Sequence, residues 1–258
     1  MTAWKSMFLI LVGCASYMQL TAQAPDSLAR NPDLNTTDGM NQMRRSQLDP
    51  HALVYQRASA LGDWPTAITA IHHLLLQDPG NRYLQDSLAA LYFRVGNLTA
   101  CHAWCLENLQ QRPDDLILLQ LAGNVEESRG NLKSALERFE RIFQLTQSHF
   151  HRYKTASLQY QIGRYGEAGS HIESMLSDPA IDQEMVHIDW QNGGGDVPLR
   201  SALLNLRGNL ELTLNKEALA RKSFKEALKL APDFKLARQN LDALQAKYHN
   251  FHDESGGR

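Results

Sequence analysis

The sequence contains little cysteine, no excess of basic residues and no long apolar run. Three cysteines among 258 residues are too few for a disulfide-dense secreted scaffold. The formal net charge of −2 argues against a nucleic-acid partner, because neutralising several phosphates requires a surplus of lysine and arginine. Motifs of phosphate-binding loops, serine nucleophile elbows and helical zinc sites are also missing. We therefore expect no nucleic-acid partner, no enzyme, no cofactor and no metal.

The N-terminus has the pattern of an export signal. Lys5 precedes an apolar stretch at residues 7–12, which weakens and then meets Ala22-Gln23-Ala24. Gly13 interrupts this stretch, and it is shorter than the roughly 20 apolar residues that a spanning helix requires. The pattern predicts a signal peptide over residues 1–22 and an exported protein.

The site of signal cleavage decides between two locations. Leu11-Val12-Gly13-Cys14 resembles a bacterial lipobox, in which the signal ends before Cys14 and that cysteine carries the lipid. Cleavage at residues 20–24 would instead release a soluble periplasmic or secreted protein. The sequence leaves both alternatives open. It predicts attachment to a membrane only through a lipid anchor at Cys14.

A glycine recurs along the chain at almost constant spacing. The four glycines are separated by 34, 34 and 33 positions, and a small residue follows each of them five positions later. The pairs are Gly62 with Ala67, Gly96 with Cys101, Gly130 with Ala135, and Gly163 with Ala168. Glycine suits the left-handed end of a helix, so each glycine predicts the turn of a helical hairpin. A period of about 34 residues predicts a stack of such hairpins.

A fifth unit recovers the same spacing, with Asn215 in the place of the glycine and Ala220, Phe224 and Pro232 after it. With its small, aromatic and proline positions, the chain resembles the tetratricopeptide repeat family over about residues 48–232. The resemblance implies an all-α, right-handed superhelical solenoid of about five helix-turn-helix hairpins. An apolar stripe beyond Lys235 predicts a C-terminal capping helix that ends near Tyr248.

The domain organisation follows from these boundaries. We predict a polar tether at 23–47, the repeat array at 48–248 and a flexible tail at 249–258. The fourth and fifth units are separated by an extra segment, residues 180–198, which we expect to be a loop. Within it, Trp190 has two interpretations: it packs onto the array as a plug, or it is an anchor that a partner buries.

The family resemblance also implies where a partner would bind. First helices of the hairpins line the concave surface in this family, and a mixture of tyrosine, asparagine and charged side chains suits an extended peptide. The alternative is that these are ordinary solvated positions. The predicted groove residues are Tyr83, Asp86, Phe93, Arg94, Gln120, Asn124, Glu127, Tyr153, Tyr160, Asn205 and Asn209.

Cysteines and histidines offer few sites for chemistry. Cys101 and Cys105 occupy positions that other units fill with apolar residues, which predicts packed core thiols; an intrahelical disulfide and a metal site are the alternatives. His149 and His151 form either a pH-sensitive contact or an ordinary surface pair. No spacing favours joint metal ligation.

The predicted function is therefore that of an exported scaffold or adaptor in a bacterial cell envelope. It would bind a protein or peptide partner in its concave groove. The alternative is a lipid-anchored assembly factor of an envelope or secretion complex, and an enzyme is a minor alternative.

Overall fold

The computed structural model describes residues 49–190 and 193–255. The predicted signal peptide, the tether at 23–47 and Cys14 lie outside the described residues, so those predictions stay predictions. Within the described ranges the chain forms two compact units, which divide after Arg129.

Within residues 49–129, the N-terminal unit has five described helices that pack against one another in chain order. Helix α1 contacts α2, α2 contacts α3, α3 contacts α4, and α4 contacts α5. Ile71 and Leu88 are among the fully buried side chains of its core. The helices are α1 Pro50–Leu61, α2 Trp64–Gln77, α3 Arg82–Arg94, α4 Leu98–Gln111 and α5 Leu116–Ser128.

From residue 130 to the end of the described range, the C-terminal unit has six described helices, again packed in chain order, and a core that includes Phe224 and Phe234. The last helix caps the preceding hairpin and runs past Tyr248, where the sequence predicted its end, to Ser255. The helices are α6 Leu132–Thr146, α7 His149–Gln161, α8 Tyr165–Leu176, α9 Leu199–Thr213, α10 Glu217–Leu230 and α11 Lys235–Ser255.

The signals that define the repeat have the predicted roles. The four repeat glycines have positive φ angles, from 72° at Gly62 to 84° at Gly163, and Asn215 takes the same left-handed conformation at 59°. The small residues that follow are fully buried, among them Ala67 and Ala220. The all-α class with consecutively packed helices is confirmed. Among the described helices, none combines the length and apolar character needed to cross a membrane.

Polar residues fix where several helices begin. Asn81 precedes α3 and its side-chain oxygen accepts a hydrogen bond from the backbone N–H of Leu84 at 3.2 Å. Asn97 does the same at the start of α4, with the N–H of Ala100 at 3.1 Å. These contacts satisfy N–H groups that have no partner inside the helix. The Asn81 cap therefore fixes the start of α3, the helix that carries Tyr83 and three further predicted groove residues.

The extra segment between α8 and α9 is folded rather than a loop. A 3-10 turn at Pro179–Gln183 leads into strand β1, Met185–Trp190, which pairs antiparallel with β2, Gly193–Pro198. The pairing runs from Met185 opposite Pro198 to Trp190 opposite Gly193. Leu199 donates its backbone N–H to the carbonyl oxygen of Glu184 at 2.8 Å, so the two ends of the hairpin meet. The expectation of a loop was wrong because it overlooked the alternation of Val186, Ile188 and Trp190.

Candidate functional site

Asp86, a predicted groove residue on α3, is held in an ion-pair cluster. Arg112 lies between two carboxylates, with Nη2 2.8 Å from Asp86 Oδ1 and Nη1 2.7 Å from Asp115 Oδ2. Burial raises the pKa of Asp86 above its ordinary value, and the hydrogen bond from Arg112 opposes this rise. The carboxylate of Asp86 is therefore already neutralised within the unit, and a partner would meet a compact charge network rather than a single negative charge.

The other predicted residues of α3 differ in exposure. Tyr83 is 49% exposed, and the pKa of its phenol is raised chiefly by partial desolvation, with the neighbouring Tyr55 adding to the rise. The guanidinium of exposed Arg94 stacks 4.7 Å from the ring centroid of Trp64. Phe93 is instead only 4% exposed, so its ring belongs to the interior and cannot line a groove.

The predicted groove residues on helix α5 are less exposed to solvent than the sequence predicted. Asn124 and Glu127 are only 9% and 7% exposed, and Gln120 is half-buried. Next to Glu127, the buried carboxylate of Glu126 lies 3.0 Å from Nε2 of His102. Of the three predicted residues on this helix, Gln120 is therefore the most accessible to a partner.

In the C-terminal unit the predicted residues have partners within the unit. Tyr160 Oη lies 3.1 Å from Oγ1 of Thr213 and 3.5 Å from the backbone oxygen of Asn209. Asn205 is buried and accepts a hydrogen bond from Asn240 Nδ2 at 2.9 Å. Tyr153 packs against the core, and burial raises the pKa of its phenol. These groups mainly join α7, α9 and α11 to one another.

The β-hairpin covers this side of the C-terminal unit, which we call the first-helix face and define by helices α7 and α9 and the start of α11. Val186 and Val197 are buried in the same core as Leu203 of α9. The ammonium of Lys235, the first residue of α11, lies 5.8 Å from the ring centroid of Trp190. Burial raises the pKa of the Asp189 carboxyl, and His187 and then Lys154 of α7 oppose the rise. The hairpin thus packs on α9 and reaches the start of α11.

Trp190 is half-buried and packs against this core rather than projecting away from it. Its ring also lies over the glycine strand. A Cβ atom at Gly195 would come within 2.7 Å of Cη2 of Trp190, and one at Gly194 within 2.6 Å of Nε2 of His187. A side chain at either glycine would therefore have to displace the tryptophan or the histidine ring.

Several solved structures have a fold similar to that of this chain. No family model and no curated protein matches the chain. YrrB, described as a TPR protein with an unusual peptide-binding site, superposes with a TM-score of 0.59 at 13% identity, over 78% of this chain and 95% of YrrB. A MamA structure gives 0.55 at 16% identity, over 69% and 88%. MamA from Desulfovibrio magneticus RS-1 gives 0.57 at 10% identity, over 73% and 96%.

The chain has the tetratricopeptide repeat fold.

In this fold the first helices of the two units present different surfaces. Those of the N-terminal unit are α1, α3 and α5, and they leave Tyr83, Arg94 and Gln120 wholly or partly accessible. Those of the C-terminal unit carry the β-hairpin. The sequence resemblance implied one kind of groove for every repeat, and the insertion changes it in the C-terminal repeats.

The two cysteines of the second tetratricopeptide repeat are packed core thiols, as predicted. Cys101 and Cys105 are fully buried and not joined in a disulfide. A hydrogen bond with Cys101 and burial both raise the pKa of Cys105, so its thiol stays protonated. In the described ranges, no group of three or more histidine, cysteine, aspartate or glutamate residues is arranged to hold a metal ion.

The main contacts that the sequence analysis missed are between histidines and carboxylates around the insertion. His149 Nδ1 lies 2.5 Å from Glu184 Oε1, and its Nε2 lies 3.3 Å from Asp178 Oδ2. His187 is placed in the same way between Asp196, at 2.7 Å, and Asp189, at 3.4 Å. The sequence singled out His149, but its carboxylates lie about one repeat further along the chain. No local motif brings these residues together.

Proposed function

We propose that this protein is a non-enzymatic scaffold that binds a protein or peptide partner and that it works in a bacterial cell envelope after export. The support for binding is the tetratricopeptide repeat fold, together with the exposed side chains on the first helices of the N-terminal unit. YrrB, which shares this fold, has an unusual peptide-binding site of its own. We extend peptide binding to this chain as a proposal.

The proposal depends on the exposure of the Tyr83 side chain. Its aromatic ring is half exposed on α3, close to the neutralised cluster of Asp86 and Arg112. A tyrosine offers rigid apolar area with a polar tip, which is the character of residues that dominate protein interfaces. The cluster behind it fixes local geometry without leaving a buried, unpaired charge. This part of α3, together with Gln120 on α5, suits an extended peptide. An apolar side chain of the peptide would contact the ring of Tyr83, and backbone groups of the peptide would hydrogen-bond to Gln120.

Site-specific photo-cross-linking tests this assignment. A photoreactive phenylalanine analogue placed at position 83 is expected to capture a partner from envelope extract, and mass spectrometry then identifies the partner. Leu76 on α2 provides the matched control, because it is also apolar and is 79% exposed in the same unit. The identified partner is then bound to purified protein, where Tyr83→Ala should weaken binding at least about fivefold and Leu76→Ala should not.

Equal cross-linking from positions 83 and 76 would mean that the binding site is not on α3. Equal affinity of the Tyr83→Ala variant and the intact protein for a purified partner would also reject the site. The absence of any partner at either position would count against the scaffold function itself.

A lipid-anchored assembly factor is the second candidate, and the observation that favours it is the lipobox-like Leu11-Val12-Gly13-Cys14. The intact mass of the mature protein separates the two. A chain that begins at Cys14 with added acyl mass supports the anchor, whereas a start after residue 22 or 24 supports a soluble periplasmic or secreted protein.

A further inference from the structure

The β-hairpin is joined to the C-terminal unit by polar contacts at its base. Arg200 donates from Nη1 to the backbone oxygen of Leu176 at 2.8 Å and from Nη2 to that of Asp178 at 3.2 Å. Its Nε also bonds to Asp182. Arg200 keeps its charge at every physiological pH, so these contacts are constant. They fix the stem of the insertion, leaving the strands to be held by other groups.

His149 of α7 contacts the segment that leads into β1. Both ring nitrogens face carboxylates, Nδ1 towards Glu184 directly before β1 and Nε2 towards Asp178. A neutral imidazole has only one N–H, so both contacts can be hydrogen bonds only when the ring is protonated. His187 repeats this arrangement between the strands, with Asp196 on β2 and Asp189 on β1. Two histidines at the insertion therefore require a proton to make both of their contacts.

We propose that the β-hairpin is a displaceable cover of the first-helix face of the C-terminal unit, and that protonated His149 is the latch that holds it closed. Val186, Val197 and Trp190 supply the apolar contacts of the closed state. His149 adds a contact that depends on pH. Opening the hairpin would uncover the side of α9 on which Val186 and Val197 pack; α9 also carries the predicted groove residues Asn205 and Asn209.

The direction of the pH effect follows from the contacts of His149. The hydrogen bond to Glu184 raises the pKa of His149 in the closed state, with Asp178 adding to the rise and burial opposing it. In an open hairpin the ring would lose Glu184, while Asp178 stays in the stem that Arg200 holds, so the pKa of the ring would fall towards its ordinary value of about 6.5. The latch is therefore complete below about pH 6.5 and is lost as the pH rises through the higher pKa of the closed state.

Other charged groups near the latch do not reverse this direction. Arg152, on the same helix, acts on Asp178 and favours its ionised form. Arg200 contacts the backbone oxygen of Asp178. At the other histidine, Lys154 faces Asp189. The backbone N–H of Ala180, His149 and Arg152 together lower the pKa of Asp178, so this carboxylate stays ionised while the ring of His149 gains and loses its proton.

Hydrogen exchange on the full chain tests the proposal without a partner. Amides of β1 and β2 are followed by mass spectrometry at pH 5.5 and 8.5, after correction for intrinsic exchange rates, and amides of α9 report whole-unit unfolding. We expect the equilibrium constant for opening of the strands to be roughly two- to fivefold higher at pH 8.5 than at pH 5.5. A change of this size corresponds to the loss of a partly exposed ion pair. The α9 amides should change less.

Three variants assign the effect to the latch. The measurement is repeated in a His187→Gln background, which removes the other histidine of the insertion. In that background His149→Gln should remove the pH dependence, and Glu184→Gln should reduce it. His151→Gln is the matched control, since His151 lies on the same helix but contacts Thr146 and Phe150 rather than a carboxylate.

Two results would overturn the proposal. Strand amides that open only together with α9 at both pH values would mean that the hairpin is not a separate cover. A pH dependence that survives His149→Gln would place the latch elsewhere. Competition between the hairpin and a partner rests on the proposed function, whereas opening is measured on the protein alone, so the two can fail independently.

Discussion

Gly208→Ala tests the close approach of helices α9 and α10. A Cβ atom at Gly208 would lie 2.4 Å from Cε1 and 2.7 Å from Cδ1 of Phe224, which is fully buried and has no room to move. Overpacking of this kind costs about 1–3 kcal/mol, while alanine gains about 1 kcal/mol over glycine in a helix interior. We therefore expect a net loss of about 0–2 kcal/mol in the free energy of unfolding relative to the wild-type protein, and of about 1–3 kcal/mol relative to a glycine-to-alanine change that meets no such contact.

Thermal unfolding followed by circular dichroism measures this loss, and the melting temperature should fall by up to about 8 °C. Gly166→Ala is the control, because it makes the same change in helix α8, where a Cβ atom would meet nothing within 4 Å. That variant should melt at or slightly above the temperature of the wild-type protein. Adding Phe224→Leu to Gly208→Ala should cost less than the sum of the two single changes. If Gly208→Ala is as stable as Gly166→Ala, the packing argument is wrong.

Three further predictions concern other contacts. Gly195→Ala should lift the ring of Trp190 off the glycine strand, so that tryptophan emission shifts to the red; unchanged emission would contradict the contact. Arg112→Ala removes the cation between two partly buried carboxylates and should lower the stability to urea by about 1–3 kcal/mol, whereas a neutral result would mean that the cluster is solvated. His171 accepts a hydrogen bond from Arg152, and its pKa is lowered, chiefly by burial. The free energy of unfolding should therefore fall as the pH drops below about 6.5. When melting temperatures at pH 7.5 and 5.5 are compared, this fall should be smaller in His171→Gln.

The repeat was predictable because its signals are local and recur. Gly62 and its equivalents end helices in a conformation that few other residues adopt easily, and the buried alanines follow at a fixed distance. Neither signal depends on what the rest of the chain does. Asn215 could be placed in the same role because asparagine also tolerates a left-handed backbone.

The surface was harder to predict because it depends on contacts between distant segments. Phe93 and Asn124 have spacings that suit a groove, but the packing around their helices buries them. The carboxylates around His149 are brought in by the insertion, whose hairpin the repeat pattern does not specify. Only the alternation of Val186, Ile188 and Trp190 signalled that hairpin, and a six-residue pattern is weak evidence beside a long helical period.

The hydrogen bond between Leu199 and Glu184 makes the insertion an exchangeable part. The segment leaves and re-enters the helical stack at nearly one point, so its length places little demand on the spacing of α8 and α9. A hairpin of different length or composition could replace it without disturbing the neighbouring helices, provided that two apolar side chains still reach the core. Binding properties could then diversify in this segment while the stack itself stays unchanged.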